Sequence, residues 1–152
     1  MKEYHYTECG LDNIYLLNGF EINHTPNGEE IFIHDINGLN KTIGIILISK
    51  PGLLSGKEIR FIRHMLDLSQ KRLANIIGID YQSVLRWEKN KGKISKTADR
   101  FIKMMFFSYI DPRNTDIYEK INEIADLDAT EVHHKLAKIT LEEVSKEWRE
   151  CA

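Results

Sequence analysis

The stretch that most constrains this chain is LSQKRLANIIGIDYQSVLRWEKNKG, Leu68 to Gly92. Ser69 is an N-cap residue, with Leu68 and Leu73 spaced to form a hydrophobic staple around it. Gly78 supplies the left-handed conformation that stops the helix after barely two turns. Asp80 then caps a second helix that runs to about Lys89. Ala74 is small where two helices must approach closely, and Val84 and Trp87 are placed to pack inward against Leu73 and Ile77. The pattern predicts two short helices joined by a tight turn, a helix-turn-helix.

If Val84 and Trp87 face inward, the opposite side of the second helix is left with Tyr81, Gln82, Ser83 and Arg86. All four can hydrogen-bond base edges or phosphates. Arg86 suits guanine and Gln82 adenine through bidentate contacts. Lys71, Lys89, Lys91 and Lys93 are better suited to phosphates, because a flexible ammonium carries little directional information. Trp87 is read as core rather than as a base-stacking platform.

Charge supports a polyanionic partner. The net charge of the 152-residue chain is -2, yet the sign is segregated. Residues 55–110 hold twelve Lys and Arg against five Asp and Glu, a surplus of +7, while residues 1–54 carry -4 and residues 111–152 carry -5. A mixed charge run is most often a solvated helix face, but a one-signed surplus of this size is the electrostatic footprint of a polyanion-binding segment.

The flanking sequence sets the organisation. Residues 1–34 carry strand and turn signals, with IYLLNGFEI reading as a hairpin about Asn18-Gly19 and HTPNGEE as a second turn before the strand EIFIH. From Asp35, a possible cap, Ile36, Leu39, Ile43, Ile46 and Leu47 share one helical face. Pro51 and Gly52 end that element and mark a boundary. Beyond it, Ser55 and Glu58 form a capping box that opens a helix with Ile59, Ile62 and Leu66 inward. Between Thr97 and Tyr109 an inward stripe runs through Ala98, Phe101, Ile102, Met105, Phe106 and Tyr109. A further helix is expected over Asp116–Ala125. Near the C-terminus, Ala137, Ile139 and Leu141 alternate as in a strand, whereas Leu141, Val144 and Trp148 fit a helix, and the two periods stay open. The expected fold is mainly α with a small α+β N-terminal module: residues 1–52 form that module, 53–110 the helix-turn-helix domain and 111–152 an acidic C-terminal extension.

The motif around Gly78 resembles the helix-turn-helix of Cro and phage repressors, the XRE-like regulators. In that family Leu-Ser-Gln opens helix two, Leu-Ala sits mid-helix, Gly makes the turn and Trp-Glu closes the recognition helix. The resemblance covers about Ser55 to Tyr109 and implies a lambda-repressor-like helical DNA-binding domain. It implies that Tyr81, Gln82 and Arg86 read bases, that Gln70 touches a phosphate and that Glu88 forms a structural ion pair with Arg63. Two departures are visible. Leu85 replaces a usually polar position, and EKNKGK stands where the family more often has Glu-Arg-Gly-Lys. The N-terminal half is similar, more loosely, to MqsA-like or YgiT-type antitoxin regulators, many of which begin with a zinc ribbon of paired CxxC motifs that this chain does not contain.

These readings lead to an expectation of a sequence-specific regulator, a repressor, binding double-stranded DNA at a palindromic operator as a homodimer. An autoregulating antitoxin with a toxin partner is one form of it. The alternative is a protein inhibitor whose acidic N-terminal module or C-terminal tail neutralises a basic toxin. No nucleophile elbow, phosphate-binding glycine loop or metalloprotease helix is present, so no enzyme, cofactor or catalytic residue is expected. His5 with Cys9, and the adjacent His133 and His134, are weak metal signals, and no metal is expected. Cys9 and Cys151 are read as free thiols. With no apolar run of about 18 residues and no signal-peptide layout in MKEYHYTECG, a cytoplasmic chain with no membrane association is expected.

Overall fold

The computed structural model describes residues 3–111, 113, 116–119, 121, 122, 126 and 141–150. The N-terminal part contains two antiparallel strand pairs. Strand β1 (Tyr4–His5) pairs with β2 (Tyr15–Leu16), and β3 (Phe20–Thr25) pairs with β4 (Gly28–Ile33) in a hairpin whose register runs from Phe20↔Ile33 to Thr25↔Gly28.

This corrects the hairpin expected at Asn18-Gly19. Gly19 does take a positive φ of 79°, but the strands on its two sides belong to different sheets. The chain turns there without pairing β2 to β3. The hairpin that does form closes over Pro26-Asn27, within the second turn signal.

Five helices come next: α1 (Ile36–Ser49), α2 (Gly56–Met65), α3 (Gln70–Ile77), α4 (Tyr81–Glu88) and α5 (Lys96–Ile110). Their starts are set by local chemistry. The side chains of Asp35, Ser55, Ser69, Asp80 and Ser95 each accept from a backbone N–H in the first turn of the helix they precede, and Ser55 with Glu58 completes the capping box. Three consecutive helices stop in the same way. Asp67, Gly78 and Asn90 have φ of 55°, 82° and 56° after α2, α3 and α4. In each case the next residue's N–H returns to a carbonyl of the last turn, Leu68 to Arg63, Ile79 to Ala74 and Lys91 to Arg86. Asn90 thus occupies the left-handed position that the resembled family fills with glycine, so the departure in EKNKGK preserves the helix stop.

One hydrophobic core joins these elements. Ile59, Ile62, Leu66, Leu73, Val84, Ile102, Met105 and Phe106 are buried within it, and so are Ile43 and Leu47 of α1 and Tyr6 and Leu11 of the N-terminal loop. The core therefore runs across the sequence boundary at residue 52. Helix α1 packs on α2 and α5, and Gly44 permits it: a Cβ there would lie 2.3 Å from Cζ of Phe106. Ile36 and Ile46, expected to face inward, are 45% and 59% exposed. Covered only on the side of α2 and α5, α1 buries a narrower stripe than its period suggests. Tyr109, at the end of the α5 stripe, is also exposed and meets Tyr118 edge-on.

Residues 116–119, 121, 122 and 126 are helical, within or just beyond the span expected from sequence. Near the C-terminus, β5 (Leu141–Val144) pairs with β6 (Glu147–Glu150) across Ser145-Lys146, both at positive φ as a two-residue hairpin turn needs. The strand period wins at Leu141, and the helical reading of Leu141, Val144 and Trp148 is corrected. Ala137, Ile139, His133, His134 and Cys151 lie outside the described residues. No helix among the described residues is long and apolar enough to cross a membrane.

Candidate nucleic-acid interface

Helices α3 and α4 pack against each other, and α4 also contacts α2. Val84 is fully buried and Trp87 is 8% exposed, as their inward placement requires. Gly56, at the start of α2, comes so close to the end of α4 that a Cβ would lie 2.3 Å from the Trp87 carbonyl oxygen. Nothing in the sequence signalled that approach.

The anchor of α4 is Glu88. Arg63 donates to it through Nε (2.8 Å) and Nη2 (2.9 Å) and uses Nη1 to reach the Leu68 carbonyl at 2.9 Å. The two side chains are 10% and 5% exposed, so the ion pair between α2 and α4 is screened little by solvent. Gln70 adds a hydrogen bond from its amide nitrogen to Glu88 at 3.2 Å. Expected to reach a phosphate, Gln70 has at least one N–H turned instead to the anchor.

Opposite this buried side, Gln82 and Arg86 are exposed one turn apart. Gln82 has no side-chain hydrogen bond to a described residue, while Arg86 donates through Nη2 to Ser83 Oγ at 3.3 Å, which leaves most of its N–H groups unused. Tyr81 is half-buried, and the Lys71 ammonium sits 5.5 Å from the centre of its ring. That cation–π contact links the start of α4 to α3. Lys89, Lys91 and Lys93 are exposed, lie directly after α4, and make no ion pair to a described residue. Of the expected contacts, Gln82, Ser83, Arg86, Lys89 and Lys91 succeed one another along α4 and its C-terminal loop. Lys71 and Tyr81 form a separate pair at its start.

Part of the positive surplus is used internally. Lys57 pairs with Asp12, Arg72 with Asp126 and Lys103 with Asp99, besides Arg63 with Glu88. Asp99 is 3% exposed and also accepts from the Leu54 N–H at 2.7 Å, while Lys103 donates to the Gly52 carbonyl. The i,i+4 spacing of Asp99 and Lys103 was legible in the sequence; their burial was not. Glu58 is engaged by Lys50. Within residues 55–110 eight cations and two acids remain without an ion pair to a described residue, a surplus of +6. The surface charge is thus nearly the sequence charge, because the internal pairs remove both signs.

The weak metal pair has other partners. His5 bonds the Asp12 carbonyl through Nε2 and stacks on Tyr15, and Cys9 donates to the Tyr6 carbonyl. His64, beside the Arg63 anchor, is held below its ordinary pKa by partial burial and by the Arg63 and Arg60 charges. No family model, curated protein or solved structure matches the chain.

Proposed function

We propose that this chain is a sequence-specific double-stranded DNA-binding regulator, a repressor, with α4 as the recognition helix of a lambda-repressor-like helical domain. One observation carries the reading: α4 is held on its inner side by Val84, Trp87 and the Arg63–Glu88 pair, and it turns Gln82 and Arg86 outward in line with Lys89 and Lys91. Directional donors and acceptors on a rigid helix can read base edges, and flexible cations beyond it can hold phosphates. One such helix touches too few base pairs for specific affinity, so the working form is a homodimer on a two-fold operator. No catalytic step and no cofactor belong to this reading.

The test uses a duplex enriched from a random library by the full-length chain, with a scrambled duplex as control. Gln82→Ala and Arg86→Ala are expected to cost about 1 to 3 kcal/mol on the enriched duplex and much less on the scrambled one. Lys91→Ala is expected to weaken both alike and to reduce the slope of log affinity against log salt by about one. Identical, uniform losses for Arg86→Ala and Lys91→Ala would remove Arg86 from base reading. Affinity independent of salt would remove the electrostatic argument.

Neutralisation of a basic protein partner is a second reading, with one observation in its favour. The pairing of β3 with β4 puts Phe32 on the same hairpin face as Glu21 and Glu30, and Phe32 is 58% exposed. An exposed aromatic between two acids is suited to a basic protein surface.

A further inference from the structure

Helix α5 is apolar on two sides. Its inner side supplies Ala98, Ile102, Met105 and Phe106 to the core, yet Met104 is 70% exposed and Phe107 50% exposed on the outer side. Thr97, Arg100, Met104, Phe107 and Asp111 succeed one another at spacings of three, four, three and four residues. That is the period of a helix-pairing seam, and it lies on the side turned away from the core.

The order of residues along this seam favours one occupant. Arg100 lies four residues before Met104, and Asp111 lies four residues after Phe107. Reversing the helix therefore puts acid against base at both ends and Phe against Met in the middle. Arg100 is exposed and makes no ion pair to a described residue, while Asp111, at the C-cap of α5, holds Arg113. From this self-complementarity we infer that the outer side of α5 is a docking surface for a second copy of the chain. The two α5 helices pair antiparallel about a two-fold axis that passes between Met105 and Phe106 of each. Met104 of one copy packs on Phe107 of the other, a favourable sulfur–aromatic contact made twice, and Arg100 of each faces Asp111 of the other. A parallel pairing, by contrast, would set Arg100 against Arg100 and Asp111 against Asp111.

Two large apolar side chains per copy make a small interface, so the dimer without DNA is weak, with Kd on the order of tens of micromolar. The inference deepens the proposed function by naming the dimer surface. It rests on that reading for the purpose of the dimer, not for its existence.

Sedimentation equilibrium of the full chain without DNA tests it directly. A reversible monomer–dimer equilibrium is expected, with Met104→Glu and Phe107→Glu each weakening it at least about tenfold while the far-ultraviolet circular dichroism stays unchanged. Arg100→Glu and Asp111→Lys are each expected to weaken the dimer, and the double variant R100E/D111K to restore it, because both ends of the two-fold then carry the swapped pair. Should the glutamate variants lose helicity, the charge-swap set decides. A wild-type chain that stays monomeric, a dimer indifferent to both glutamate variants, or a double variant no better than either single one would overturn the assignment. Salt-dependent DNA binding by Met104→Glu separates the two proposals: if it survives while dimers vanish, both stand. Loss of DNA binding in wild type with dimers intact would fault only the function.

Discussion

Arg63→Met breaks the anchor of the recognition helix. The substitution keeps most of the side-chain volume and removes all three donated bonds, at 2.8 and 2.9 Å to Glu88 and 2.9 Å to the Leu68 carbonyl. It leaves a Glu88 side chain that is 5% exposed, with Gln70 as its remaining side-chain partner at 3.2 Å. Leaving one charge of a buried pair uncompensated costs about 3 to 5 kcal/mol, and the lost carbonyl bond adds about 1 kcal/mol. For a chain of this size each kcal/mol lowers the melting temperature by roughly 2 to 4 °C, so a fall of at least about 10 °C is expected. Glu88→Leu is expected to be similarly damaging. In the double variant no buried charge remains, and a well-packed apolar pair is expected to recover most of the loss. Urea unfolding followed by circular dichroism supplies the free energies, and an unchanged m-value shows that the same surface is being exposed. Two results would refute the reasoning: a cost below about 1 kcal/mol for Arg63→Met at constant m, or a double variant whose loss equals the sum of the single ones.

Gly44→Ala forces a methyl to within 2.3 Å of the fully buried Phe106 ring, and overpacking of about 1 to 3 kcal/mol should outweigh the gain of about 1 kcal/mol in helix propensity; a higher melting temperature would contradict the close packing of α1 on α5. Trp87→Ala is expected to cost about 3 to 5 kcal/mol in urea unfolding, because an 8% exposed indole leaves a cavity under α4. A variant that keeps its stability but loses DNA would mean that the inner and outer sides of α4 are reversed. His64 should titrate below 6.5 in the folded chain, from partial burial first and the Arg63 and Arg60 charges second. The unfolded chain then holds more protons, so this group's contribution to stability falls as pH drops from 6.5 to the folded midpoint. Nuclear magnetic resonance titration checks it, and a midpoint at or above 6.5 would contradict it.

The helix boundaries around the site were legible because caps are local. Ser55 with Glu58, Ser69, Gly78 and Asp80 act on backbone groups within a few residues, and no distant contact is needed to place them. The inward side of α4 was legible for a related reason: at 3.6 residues per turn, Val84 and Trp87 cannot both be buried unless Gln82 and Arg86 point out. Strand pairing is not local. Asn18-Gly19 specified that the chain turns, but which strand Tyr15–Leu16 joins depends on Tyr4–His5, whose pairing no turn propensity encodes. Burial of α1 is also a tertiary outcome, since Ile46 has the same chemistry as Ile43 and differs only in whether α2 or α5 lies against it. The capture of Gln70 by Glu88 and the nearness of Gly56 to the end of α4 depend on how α2, α3 and α4 converge. Local caps and helical period thus determined which residues α4 can show. The packing of α2 and α3 behind it decided which of their side chains hold it in place, because such contacts join residues far apart in the chain that only the assembled core brings together.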